Sequence, residues 1–498
     1  MSLGLALFGA MLVLMALRMP IAIAMFVPGA VGYVLMSGWD PLLNHLKGAV
    51  FGRFSVYDLS VIPLFMLMGA FAMHGGLSKA LFDFANGLLG RFRGGMAMAG
   101  ILACAAFGSI SGSSVATTAT IAQVALPEMR RIHYSGRLAT AALAAGGTLG
   151  ILIPPSVMLI VMGPVLGVSV ADLYAAAFGP GFLLAGLYLL YLFGRAFFNP
   201  KLGPPVPREE RVTSPYLIVR EVVIGVLPLL GLIAATLGSI LAGLATPTEA
   251  AGIGSLGALI LAAIYRRLTY AGMKRAVISA TATSSMVLLL AVTSNIFGSV
   301  FARLGTANWI TESLLALPIP PVMMLAVVLV LIFLLGWPFE WPAIILVFLP
   351  IFYPVMDGLK PALAQSLGIQ IDMLMVWFGT VVAVTLQTAY LSPPVAMSAY
   401  YLKQVVKEWS LSTIYKGMFE FMALQCLAIA LCVIFPAIAT WFPEHLQYQA
   451  RQIQTEEVDD SANRLEEDPL KGSEEQPQEE PQEGVDALEK DELSTGKK

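Results

Sequence analysis

The chain has 498 residues, 57% of them hydrophobic and only 12% charged, with a formal net charge of −3 at pH 7. A soluble globular domain carries about a quarter charged residues, so this composition excludes an ordinary soluble protein and indicates a polytopic membrane protein. A lipid bilayer is the expected surrounding, and nucleic acid is not an expected partner.

Apolar stretches recur from Leu3 nearly to Pro443. Roughly ten to twelve of them have the ~20 residues that a helix needs to cross a hydrocarbon core. The first, "MSLGLALFGAMLVLMALRMPIAIAMFVPG", has no basic residue ahead of its apolar run and resumes at once after Arg18, which argues against a cleaved signal peptide. The three cysteines, Cys104, Cys426 and Cys432, lie in apolar segments without metal-ligand spacing and read as small buried hydrophobes.

The stretch "AAFGSISGSSVATTATIAQVALPEM", Ala105 to Met129, holds four serines, three threonines and two glycines, and no charge before Glu128. Gly108 and Gly112 permit a tight turn, so the segment can enter the membrane, turn and leave on the same side. Such a hairpin points helix ends and bare backbone groups into the bilayer. Ser109, Ser111, Ser113, Ser114, Thr117 and Thr118 add neutral oxygens, a cage that suits Na⁺ better than a transition metal. The competing reading is that small hydroxyl residues let helices pack closely. "SISGSS" also suits an intramembrane serine protease, but that chemistry needs a histidine base. His45, His74, His133 and His445 all sit beside loop or basic residues. No phosphate loop, metal-binding His pair or nucleotide fingerprint is present, so no cofactor is expected.

Next, "GGTLGILIPPSVMLIVMG" (Gly146 to Gly163) places glycines and a Pro-Pro pair inside an apolar run. The basic linker "GRAFFNPKLGPPVPREERVTSPYLIVR" divides the membrane domain near residue 205, and the basic loop "YRRLTYAGMKR" follows after enough apolar chain for two crossings. Both loops are therefore expected on the cytoplasmic side. Glu249 in "LATPTEAAGIG" reads either as an intramembrane carboxylate or as a helix start capped by Thr246 and Thr248. Arg303 reads as a substrate contact or a snorkelling side chain.

In the second half, "LLGWPFEWPAIILVFLPIFYPV" precedes "LQTAYLSPPVAMSAYYL" (Leu386 to Leu402), as the serine-rich block precedes Pro154 in the first. The order is interrupted block, helix, broken helix, twice. Proline frees backbone carbonyls that hydrocarbon does not tolerate unless protein or a wet cavity covers them. The repeated layout therefore indicates a transporter with a binding site near the midplane, although two ordinary kinked helices would give the same pattern. Residues 1 to 443 carry 23 Lys and Arg against 15 Asp and Glu, and residues 444 to 498 carry 6 against 17. That acidic tail lacks the apolar surface to order itself and reads as disordered and cytoplasmic.

The segments "ISGSSVATTATIAQVALPEM", "GGTLGILIPPSVMLIVMG", "TPTEAAGIGSLGAL", "GWPFEW" and "VAVTLQTAYLSPPVAMSAYYLK" resemble, in order, the large membrane subunit of tripartite ATP-independent periplasmic (TRAP) transporters, the DctM-like family. The resemblance implies an all-α, inverted-repeat, elevator-type secondary transporter with two re-entrant helical hairpins, in a bacterial inner membrane, and no enzyme. It implies domains at 1–204, with hairpin 1 at about 108–129, and 205–443, with hairpin 2 at about 335–354, then the tail at 444–498. It also implies Na⁺ as coupling ion, a small organic anion such as a carboxylate as substrate, a periplasmic substrate-binding protein, and a separate small four-helix membrane subunit. A stand-alone Na⁺/dicarboxylate carrier of related architecture is the alternative. Carried onto this chain, the Na⁺ ligands would be Ser111, Gly112, Ser113, Ser114, Gly147, Thr148, Gly150, Gly336, Glu340, Thr385, Gln387 and Thr388. Substrate contacts would be Ser109, Thr118, Pro154, Pro155, Ser392, Pro393 and Pro394. The chain departs from the family pattern at Glu340, where many relatives carry Asp, at Ala396, where they carry Gly, and in the extra prolines Pro338 and Pro342.

Overall fold

The structure is a computed structural model that describes residues 2–17, 19–55, 57–211, 216, 219–220, 222–393, 396–449 and 451–452. The acidic segment from 453 onward and Pro394 lie outside the described residues. The chain to Glu444 forms one compact unit. In the second unit, which starts at His445, Gln449 Nε2 lies 3.2 Å from His445 Nε2.

Helices α1 (Ser2–Ala16), α2 (Ile21–Ser37) and α3 (Trp39–Phe54) open the fold. Then α4 (Val61–His74) and α5 (Leu77–Leu89) form a pair bent by 64°. Next come α6 (Gly95–Ser111), α7 (Ser114–Arg131), α8 (Gly136–Thr148), α9 (Val157–Leu166) and α10 (Val170–Phe198). The second half contains α11 (Val222–Leu241), α12 (Pro247–Ile264), α13 (Tyr270–Arg303), α14 (Thr306–Leu315), α15 (Pro321–Leu335), α16 (Trp341–Gly358), α17 (Lys360–Leu367), α18 (Ile371–Leu386), α19 (Met397–Val405) and α20 (Leu411–Ile434). The described residues contain no strand.

Among the described residues, seven helices are long and apolar enough to span a membrane, or eight if α4 and α5 are one bent span. The ten to twelve apolar stretches of the sequence divide, among the described residues, into these spans and five shorter apolar helices of 10 to 17 residues, α6, α9 and α15 among them. Two of the expected crossings, α11 and α12, do lie between the two basic loops.

The repeat is visible in the element order. A helix–turn–helix unit, α6 and α7, precedes a helix that breaks at a 3-10 turn, α8 to α9. Likewise α15 and α16 precede α18, which ends in a 3-10 turn at Gln387–Tyr390 and resumes as α19. The halves interlock. Helix α19 packs on α7 and α8, while α9 packs on α16.

Helix α18 is apolar on every side, and each residue from Met373 to Leu386 is buried. A helix hydrophobic all round belongs in a core. Protein encloses 89% of that span, against 33% for α20, whose outer face carries Phe419, Leu427 and Ile434. Charge holds the same core at its rim: the Glu420 carboxylate accepts from Arg137 at 2.5 Å and Arg195 at 3.3 Å, tying α20 to α8 and α10. The linker after α10 is pinned to the first half, where the Gly94 and Val206 N–H groups donate to the Gly203 and Gly90 carbonyls at 2.8 and 2.9 Å.

Candidate functional site

The α6–α7 turn is built by two residues. Gly112 caps α6 in the left-handed region at φ +57°, where a side chain would be strained. Ser113 is extended, and its hydroxyl accepts from the Ala116 N–H to cap α7. The helix–turn–helix unit runs from Gly95 to Arg131, and the expected hairpin at about 108–129 falls on its turn and second helix.

This turn sits on the break after α8. A methyl placed on Gly150 would lie 2.7 Å from Thr117 Oγ1 and 3.3 Å from the Ser113 carbonyl oxygen. One on Gly147 would overlap Thr118 Oγ1 and lie 3.2 Å from the Ser114 carbonyl oxygen. On the other side, a methyl on Gly69 would lie 2.7 Å from Ser111 Cα. Three glycines thus let backbone and hydroxyl oxygens of one hairpin close on a bare helix end.

The hydroxyls divide into two groups. Ser111 and Thr117 are 2.6 Å apart and satisfy each other, and Thr148 donates to the Ala145 carbonyl at 2.7 Å while Gln425 Nε2 donates to it at 3.3 Å. Ser114 Oγ and Thr118 Oγ1 are fully buried without any hydrogen-bond partner. An orphaned buried hydroxyl costs roughly 1–3 kcal/mol, and Thr118 Oγ1 lies against Gly147 beside the Ser114 carbonyl, where a ligand that takes oxygen donors would satisfy it. The oxygen set is neutral and hard, which fits a small alkali cation.

In the second half the α15–α16 break occupies Gly336 to Glu340, and Gly336 packs against Ala389 in the 3-10 turn after α18. The expected second hairpin, at about 335–354, falls on this break and on α16. Thr385 and Thr388 donate back to the Val381 and Thr385 carbonyls at 2.9 and 2.7 Å. Gln387 is fully buried, and neither its amide oxygen nor its nitrogen has a partner. Glu340 stands at the helix start before Trp341, and its carboxylate makes no capping bond.

A cavity of about 480 Å³ opens between the two breaks. Ser113, Val115 and Ala116 from the start of α7 line one wall; Phe339, Glu340 and Trp341 line another, with Ala389 and Tyr390 beside them. Tyr401 on α19, Met73 on α4, and Ser279, Thr283 and Met286 on α13 complete it. The start of α7 borders this space, with the Ala116 N–H already bonded to Ser113 Oγ. Helix starts favour anions.

Of the residues expected to touch substrate, Ser109, Thr118, Pro154, Pro155, Ser392 and Pro393 do not line this cavity. Ser109 donates to Ala106 and Ser392 to Thr388, each within its own element, and Thr118 faces Gly147 instead. The cavity residues that sequence reasoning missed had a signal. Tyr390, Tyr401 and Trp341 interrupt the aliphatic pattern of the repeated blocks, and Ser279, Thr283 and Met286 share one face of α13 at helical spacing.

Two open readings close. Glu249 belongs to a capping box, accepting from the Thr246 N–H at 2.8 Å while Thr246 Oγ1 accepts from the Glu249 N–H at 3.3 Å. It is not a site carboxylate. Arg303 lies over the Tyr33 ring at 4.9 Å, away from the cavity. Cys104 and Cys432 are buried as expected, whereas Cys426 is exposed because it points outward from α20.

The Tripartite ATP-independent periplasmic transporter, DctM component, family profile matches residues 8–438. The chain is 28% identical over 458 residues to the C4-dicarboxylate TRAP transporter large permease protein DctM of Rhodobacter capsulatus, covering 89% of this chain and 99% of that one. It is 30% identical to the protein of the same name in Pseudomonas aeruginosa, covering 78% and 87%. The sialic acid TRAP transporter permease protein SiaT of Haemophilus influenzae is 27% identical, over 87% of this chain and 67% of SiaT. In fold, the chain is similar to the crystal structure of the Alcanivorax borkumensis YdaH transporter, with a TM-score of 0.56 and 16% identity over 87% of this chain and 99% of that one. With the repeated breaks and the cavity between them, these matches establish that the chain is a membrane transporter component and belongs to the DctM family of tripartite ATP-independent periplasmic transporters.

Proposed function

We propose that this chain is the large permease of a Na⁺-coupled importer of small organic anions in a bacterial inner membrane. A periplasmic substrate-binding protein delivers the anion, and a separate small membrane subunit completes the complex. The observation that carries the coupling is the pair of unpartnered buried hydroxyls, Ser114 and Thr118, among the oxygens that the α6–α7 turn presents to Gly147 and Gly150.

The chemistry follows from charge. A cation held at the turn sits beside the start of α7, where the helix dipole alone offers only a partial positive charge. Its full charge offsets the anion's in a low-dielectric site. Each ligand therefore raises the other's affinity, and by linkage the effect is reciprocal. Both hairpins are read as re-entrant, carrying the cavity across the bilayer in an elevator movement. The names of the relatives, C4-dicarboxylate and sialic acid permeases, support an anionic substrate.

The test is thermal stability of the purified chain, titrated with NaCl against KCl at constant ionic strength. A ligand that binds the folded state raises its melting temperature by mass action. A saturable rise specific to Na⁺ is expected; superimposable Na⁺ and K⁺ curves would defeat the coupling. Uptake into proteoliposomes with and without a binding protein then separates the tripartite system from a stand-alone carrier.

A further inference from the structure

We propose that Thr148, which the resemblance assigns to the ion, instead anchors the ion site: Gln425 of α20 and Tyr188 of α10 lock its hydroxyl, and through it they hold the α8 break in the shape that receives a cation. This deepens the reading of the α6–α7 turn as a Na⁺ site and rests on it. Gln425 and Tyr188 are positioning residues that touch no ion.

The α7 oxygens reach the break through Gly147 and Gly150, whereas Thr148 turns toward α10 and α20. Its hydroxyl donates to the Ala145 carbonyl at 2.7 Å and accepts from Gln425 Nε2 at 3.3 Å. Its proton and one of its two lone pairs are therefore committed. Thr148, Gln425 and Tyr188 are all fully buried. The Tyr188 hydroxyl lies against both Thr148 and Gln425, yet it and Gln425 Oε1 are the two atoms of this cluster without a hydrogen-bond partner. One is a donor and the other an acceptor, so they complete each other. The result is a relay from Tyr188 O–H to Gln425 Oε1, from Gln425 N–H to Thr148 Oγ1, and from Thr148 O–H to the last turn of α8. Such a chain strengthens as each bond polarises the next. Gly146, Gly147 and Gly150 give the break little side chain of its own to hold it in place, so the hold has to come from outside. Phe421, one turn before Gln425, stands edge-on to the Tyr188 and Tyr191 rings at 5.2 and 5.3 Å and fixes where α20 meets α10.

Na⁺ titrations of the melting temperature, on the full chain in detergent, test this. Gln425→Met keeps the length of the side chain and removes its donor and acceptor, and the Na⁺ midpoint should rise about tenfold, as when a group that orients a metal ligand is lost. Tyr188→Phe removes one hydroxyl from a ring whose packing stays; it should move the midpoint the same way by a smaller factor, and it decides the matter if Gln425→Met is too unstable to titrate. Thr148→Ser keeps the anchoring hydroxyl and should retain the wild-type midpoint. Thr148→Val should match Gln425→Met, and the double variant should be no worse than either, because Gln425 acts only through Thr148. A midpoint unmoved in both Gln425→Met and Tyr188→Phe overturns the proposal, whatever happens to stability in KCl, and so does a double variant whose shifts add. If those variants keep the wild-type response, the anchor alone falls and the coupled-transporter reading stands. If the wild type itself shows no Na⁺ response, that underlying reading falls and the anchor falls with it.

Discussion

The two broken helices share one plan and fill it differently. After α8 the chain reads Gly147-Thr148-Leu149-Gly150, and after α18 it reads Gln387-Thr388-Ala389-Tyr390. The threonine is kept in both and does the same thing, donating three residues back to a carbonyl at 2.7 Å. The flanking positions are glycines in the first half and large polar side chains in the second. Glycine lets the facing hairpin touch backbone, so the first break is closed by oxygens of α7. In the second half Gly336 approaches Ala389 of the turn, and Tyr390 and Glu340 line the cavity beside it. One repeat is closed by oxygens of α7, and the other borders the cavity.

The sharpest way to break this contrast is to give the first half a side chain. Gly150→Val would push branched carbons into Thr117 Oγ1 and the Ser113 carbonyl. Overpacking of this kind costs about 1–3 kcal/mol, occasionally more, and both neighbours belong to the turn that carries the proposed ion site. The expected outcome is the largest fall in melting temperature of any variant named here, with the Na⁺ response abolished. A variant that keeps its Na⁺ response would show that the close approach is packing and nothing else.

Thr118→Val separates ion binding from packing. The swap removes a buried hydroxyl that has no partner, so stability without Na⁺ should hold or rise by about 1 kcal/mol. The Na⁺ midpoint should meanwhile move up about tenfold, worth ~1.4 kcal/mol. Destabilisation in KCl with an unmoved Na⁺ midpoint would return Thr118 to the close-packing role that small hydroxyl residues play in many membrane helices. In the second half, Gln387→Leu applies the same logic to an amide with two orphaned atoms. Stability in KCl should rise by about 1 kcal/mol, and transport should fall because the polar lining near the cavity is lost. Transport at the wild-type rate would mean that Gln387 serves neither ion nor anion.

The layout was legible in the sequence for a physical reason: glycine, proline and serine in an apolar run have few uses, and their recurrence placed both breaks correctly. The hairpin turns were legible too, through Gly112 and through Gly336 to Glu340. What was not legible was where the helix ahead of each turn begins, because α6 and α15 are uniformly apolar. The cavity lining was half legible. Glu340 stood out as a carboxylate in an apolar block, while Ser279 and Thr283 lie on a distant helix that only the fold brings near. Ser109, Ser392 and Thr118 were carried over from the family resemblance as substrate contacts. Ser109 and Ser392 donate to the Ala106 and Thr388 carbonyls and Thr118 faces Gly147, a choice of rotamer that sequence does not encode.

Gly336→Ala is the smallest and most discriminating change. Gly336 has φ −63°, so alanine suits its backbone, and Gly→Ala at a compatible position gains about 0.4–1 kcal/mol by restricting the unfolded chain. Against that, the new methyl would stand 3.1 Å from Ala389 Cβ and 3.1 Å from the Phe333 carbonyl, a squeeze that a few tenths of an ångström relieve. The two effects nearly cancel, and the melting temperature should stay within about 2 °C of wild type, with the Na⁺ midpoint unchanged. The same Gly→Ala step at Gly150 should lower both stability and Na⁺ affinity, because its methyl meets the Thr117 hydroxyl and the Gly108 backbone instead of a methyl. If Gly336→Ala proves as damaging as Gly150→Ala, the second break is as tightly closed on its hairpin as the first, and the division of labour between the two halves fails.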